Sequence, residues 1–63
     1  MYDNDIITGL IAFARDHGID ADFSVEPGLI RTGVDGFYRF HDDWPAAVDD
    51  LTKRVAVAVG ARR

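Results

Sequence analysis

The sequence predicts an α+β fold: a helix, a three-stranded antiparallel sheet and a second helix, in two layers with both helices on one sheet face. Three observations point there. Apolar residues recur at helical spacing over residues 4–17 and again over 44–59. The stretch between them, "DADFSVEPGLIRTGVDGFYRFH", alternates apolar and polar residues, and Pro27-Gly28 and Asp35-Gly36 punctuate it at two turn sites. Sixty-three residues leave room for one small domain, 1–63, and a single core.

In the first helix, Ile6, Ile7, Leu10, Ile11, Phe13 and Ala14 gather on one side, with Asp5, Thr8, Ala12, Arg15 and Asp16 opposite. Asp3 is placed to accept from the free N–H groups of the first turn, and Tyr2 to pack back on Ile6 or Ile7. Gly18 supplies the left-handed residue that ends a helix, with Ile19 covering the end. His17 belongs near the last carbonyls rather than to a catalytic site. Gly9 in mid-helix costs about 1 kcal/mol against alanine and marks a candidate close approach of backbones.

Pro27-Gly28 suits the two central positions of a type II turn, which sets Val25 opposite Ile30 and Phe23 opposite Thr32. Val34-Asp35-Gly36 admits two registers. A two-residue turn pairs Ile30 with His41 and Arg31 with Phe40, mixing polar and apolar residues on both faces. A three-residue loop pairs Thr32 with Tyr38 and Ile30 with Phe40, bringing Phe23, Val25, Ile30, Thr32, Tyr38 and Phe40 together. Because a one-residue slip exchanges the faces, the three-residue loop is the expected register. It leaves Asp22, Ser24, Glu26, Leu29, Arg31, Phe37, Arg39 and His41 on an open face.

Asp43 is the natural N-cap of the second helix, and Pro45 is tolerated in its first turn. Trp44, Val48, Leu51, Val55, Ala58 and Val59 form its apolar side, while Ala46 and Val57 point away from it. Asp49–Lys53 and Asp50–Arg54 are i,i+4 pairs in the favourable order. "VAVAV" alternates like a strand, yet no turn residue separates it from Arg54, so it reads as helix. Arg62 and Arg63 are expected to fray.

The element order resembles that of double-stranded RNA-binding domains, which bind largely by shape through phosphate and 2′-OH contacts. That family carries a lysine cluster at the start of its second helix; here the position reads "HDDWPAAVDD". Ten aspartates and Glu26 make the 11 acids, against 7 basic residues, for a net charge of −4. This charge disfavours direct nucleic-acid binding. No cysteine is present, so neither a disulfide nor a thiolate metal site is available. The start "MYDNDII" lacks a basic signal region, and no apolar run approaches a membrane span. A cytoplasmic protein of a G+C-rich bacterial or phage source is the expectation from Arg over Lys and abundant Ala and Val.

The sharpest candidate site is Arg31 and Arg39, expected to stand opposite each other on the open face with Phe37, Leu29, Ser24 and His41 nearby. Two guanidiniums with an aromatic floor suit a carboxylate or phosphate, unless Asp22, Glu26 or Asp42 neutralises them within the chain. His41-Asp42-Asp43 is too few ligands for a metal, and the aspartates read as caps. Nucleophilic or cofactor chemistry finds no motif: no Cys, no phosphate loop, and Ser24 without a base. The expectation is a non-enzymatic, cofactor-free protein-interaction module, binding a protein partner and self-associating as a dimer. The alternative is an acidic mimic presenting Asp42, Asp43, Asp49 and Asp50 to a nucleic-acid-binding protein.

Overall fold

A computed structural model describes residues 4–61, with Asn4 through its backbone alone. The order is α1 (Asn4–Asp16), β1 (Ala21–Glu26), β2 (Leu29–Val34), β3 (Phe37–His41) and α2 (Trp44–Ala61). The strands form one antiparallel sheet in the order β1-β2-β3. Helix α1 packs on β1 and α2 mainly on β2, and the helices touch each other, giving the two-layer α+β architecture. The roles expected of Tyr2, Asp3, Arg62 and Arg63 lie outside the described residues. Among those described, no helix is long and apolar enough to cross a membrane.

The core gathers Ala14, Ile19, Val34, Leu51, Val55 and Val59, with Leu10, Phe23 and Ala58 partly buried around it. Helix α1 buries Ile7 and Ala14 and leaves Ile6 and Phe13 exposed. Its end has the expected geometry: Gly18 has φ +74°, its N–H donates to the Arg15 carbonyl at 2.9 Å, and the Ile19 N–H to that of Ala14 at 2.9 Å. His17 lays its ring against Phe13, centroids 4.5 Å apart. Gly9 marks no close approach, since a Cβ there meets nothing within 4 Å. Helix α2 runs through the "VAVAV" stretch and buries Ala47, Leu51, Val55 and Val59. The Ala47 N–H donates to the Asp43 carbonyl at 3.0 Å, which places Asp43 at the cap position.

The β1–β2 register is the expected one, with Phe23 opposite Thr32 and Val25 opposite Ile30. The β2–β3 register is not. Val34 pairs with Phe37, Thr32 with Arg39, Arg31 with Phe40 and Ile30 with His41. Asp35 and Gly36, at φ +53° and +86°, make a two-residue turn of type I′, whose twist matches that of the strands it joins. The Asp35 carboxylate also accepts from the Asp20 N–H at 3.1 Å, and the Asp35 N–H donates to the Asp20 carbonyl at 2.7 Å. These bonds tie the turn to the start of β1. Relative to expectation every β3 side chain changes face. Phe37, Arg39 and His41 lie on the helix side with Thr32 and Phe23, while Tyr38 and Phe40 lie on the open face with Leu29, Arg31 and Ser24.

Candidate functional site

The expected pair of opposed arginines is therefore divided between the two sheet faces. On the helix side, Thr32 is fully buried, an unusual position for a polar side chain. It is the midpoint of a network built on Asp50, which α2 delivers one residue before the core residue Leu51. Asp50 Oδ2 accepts from Thr32 Oγ1 at 3.3 Å, His41 Nε2 at 3.2 Å and Arg54 Nη1 at 3.2 Å, and Oδ1 accepts from Arg39 Nη1 at 3.0 Å. Four donors fill the acceptor capacity of one carboxylate. Arg54 Nη1 also donates to Thr32 Oγ1 at 3.2 Å, and Arg54 Nη2 donates to the Phe37 carbonyl. Burial by itself raises the Asp50 pKa; the Arg54 and His41 hydrogen bonds and the charges of Arg54 and Arg39 outweigh it and hold the carboxyl below its ordinary 3.8.

Polar residues on the inner face of β3 thus have a physical reason. Because α2 lies over β2, the inner face of β3 meets the flank of α2, where Asp50 and Arg54 stand, and not the apolar stripe. Arg39 is matched there by charge and His41 by a hydrogen bond to Asp50.

The open face carries a different cluster. Gly33 lies opposite Tyr38, whose ring covers it so closely that a Cβ on residue 33 would fall 2.7 Å from the ring. The Arg31 guanidinium stands over the same ring, 5.0 Å from its centroid, and Arg31 Nη2 donates to Asp22 Oδ2 at 3.1 Å. Asp22 is one of the acids expected to neutralise an arginine. Leu29 and Phe40 flank the stack, both exposed, and Ser24 faces Arg31 across β1–β2. Of the predicted binding residues, Arg31, Leu29 and Ser24 remain on this face, whereas Arg39, Phe37 and His41 do not. Tyr38 and Phe40, expected in the core, replace them.

The two faces meet at the β3 edge. An open groove of about 750 Å³ runs between that edge and α2, lined by Phe37, Tyr38, Arg39, Lys53, Arg54 and Val57 among others. The acidic surface is smaller than expected. The Asp50 side chain is 17% exposed and engaged, Asp49 pairs with Lys53 at 3.0 Å, and Asp42 and Asp43 remain at the start of α2. Among the described residues, no three His, Asp or Glu side chains gather as metal ligands. No protein-family model matches this chain, and no curated protein or solved structure shows significant similarity to it.

Proposed function

We propose that this chain is a small protein-interaction module that self-associates as a dimer, with the β3 edge and the adjoining open sheet face as its contact surface. One observation carries the reading. Among the described residues strand β3 has a strand neighbour on one side only, and Phe37, Tyr38 and Phe40 along it are 76%, 54% and 57% exposed. Edge strands are normally blunted by Lys, Pro, bulges or inward-pointing charges. β3 has no Lys or Pro, and its one arginine is neutralised by Asp50. The other edge strand, β1, carries Glu26 and is packed by α1.

A second copy is the occupant that fits. An aromatic side chain offers about 150–250 Å² of surface, so the uncovered parts of these three rings present roughly 300–450 Å² per copy. Arg39 and Val57, the latter 73% exposed, extend the patch along the groove. Together they approach the ~600–800 Å² per partner of a small specific interface. Arg31 pairs with Asp22, and Arg39 pairs with Asp50, a carboxylate it shares with Arg54, so each of these two arginines keeps an acidic partner beside it when two copies meet in an isologous contact. A domain of this size leaves about 40% of its unfolded surface uncovered, which gives association a further driving force.

Sedimentation equilibrium over a concentration series from roughly 1 to 200 µM, the range of a weak specific dimer, tests this. The mass should rise from monomer to dimer. Tyr38→Lys with Phe40→Lys should remain monomeric with an unchanged circular-dichroism spectrum. A wild-type chain that stays monomeric throughout would overturn the proposal.

A further inference from the structure

We infer that two copies join β3 to β3 in antiparallel fashion about a two-fold axis through Arg39, making one continuous six-stranded sheet. The inference rests on the self-association proposed above and adds the geometry. It follows from the phase of the hairpin. A two-residue turn is closed by a hydrogen-bonded pair, here Val34 and Phe37. Bonded and non-bonded pairs then alternate, so Phe37, Arg39 and His41 direct their backbone groups to β2. Tyr38 and Phe40 direct N–H and C=O to the free edge.

An antiparallel partner must match those four groups. An axis through Arg39 sets Tyr38 against Phe40 of the second copy and Phe40 against its Tyr38, which satisfies all four on each chain. The same axis overlaps the whole of Phe37–His41. An axis through Tyr38 instead runs the end of β3 into the partner's turn, and one through Phe40 runs its start into the partner's Asp42-Asp43. Either shortens the ladder.

The side chains agree with this choice. On the open face, Tyr38 and Phe40 of both copies form two aromatic cross-strand pairs. On the helix face, Phe37 stands against the second copy's His41, beside the groove that Val57 lines. The two Arg39 residues face each other, an arrangement that normally destabilises a ladder. Each of them, however, already bonds its own Asp50 at 3.0 Å, so a carboxylate, shared with Arg54, stands beside each guanidinium at the axis. Asp50 has a second use in the dimer, as the counter-ion that lets two arginines adjoin.

The chain has no cysteine, so single-cysteine variants read the geometry directly. Opposed residues of a non-bonded antiparallel pair have Cα atoms about 4.5 Å apart, within the roughly 4.4–6.8 Å window for a disulfide. Arg39→Cys, folded by circular dichroism and mildly oxidised at a concentration where wild type is dimeric, should give disulfide-linked dimer as the main product. Ser24→Cys, away from the axis, should give several-fold less. Should Arg39→Cys fail to fold, mixing Tyr38→Cys with Phe40→Cys must give the mixed disulfide in excess of either self-linked product. A dimeric mass with Ser24→Cys linking and Arg39→Cys not linking overturns the strand pairing and leaves self-association standing, through stacked sheet faces. A monomeric mass with no linking overturns both.

Discussion

Asp50→Asn tests the network that fixes the phase of β3. The substitution keeps the shape of the side chain but removes its charge and leaves one oxygen to accept where four donors converge, three on Oδ2 and one on Oδ1. Hydrogen bonds to charged groups contribute about 1.5–3 kcal/mol each, and breaking a fully buried ion pair costs about 3–5 kcal/mol. Asp50 and Arg54 are 17% and 15% exposed, and the amide oxygen still accepts, so the expected loss lies below those limits, at about 2 kcal/mol. With a urea slope near 1 kcal/mol/M for so small a chain, the midpoint should fall by roughly 2 M. The thermal midpoint should fall by about 8–16 °C. Far-UV circular dichroism at micromolar protein, below the concentration at which association adds stability, reads the change. Asp49→Asn is the control, because its exposed pair with Lys53 should shift stability by no more than ~0.5 kcal/mol. Equal effects from the two substitutions would refute the argument that Asp50 holds β3 in place.

The pH dependence has a definite sign. The folded-state Asp50 pKa is lowered from 3.8, so its contribution is present above the ordinary carboxylate range and is lost as pH falls below 3.8 through the folded value. Wild type should lose stability in that window, and Asp50→Asn should show a flatter profile by urea titration at each pH. Gly9→Ala adds a methyl group to open space and should stabilise by about 1 kcal/mol, read as a higher thermal midpoint. Gly33→Ala must displace the Tyr38 ring and should destabilise by about 1 kcal/mol. In a Tyr38→Ala background the same change should become neutral or stabilising, and a double-mutant cycle with no coupling would contradict the stack. Asp35→Ala loses the bond to Asp20 and strains a φ of +53°, so a loss of about 1–2 kcal/mol is expected, with Asp35→Asn closer to wild type.

The residues made the element order and both helices legible. Gly18 and Ile19 mark the end of α1, Asp43 the start of α2, and Pro27-Gly28 the first turn. The face of β3 was not legible from alternation. "FYRFH" sets aromatics against Arg and His at period two, and a rule that turns aromatics inward gives the wrong phase. Two local signals opposed that rule. Asp-Gly is a strong two-residue turn pair, and Gly33 leaves a bare spot that a facing aromatic such as Tyr38 covers. The deciding factor is tertiary: α2 lies over β2, so the inner face of β3 meets Asp50 and Arg54. Their i,i+4 spacing was visible in the sequence, but the donors on β3 that complete their network were not.

Amide-resolved hydrogen exchange by NMR tests the placement and exposure of the β3 edge most directly. In dilute solution the Phe37, Arg39 and His41 amides should be protected and those of Tyr38 and Phe40 should exchange freely; at dimer-forming concentration the latter two should slow markedly. Protection of Tyr38 and Phe40 at every dilution would contradict the strand phase, and free exchange of both at every concentration would contradict the joined edge.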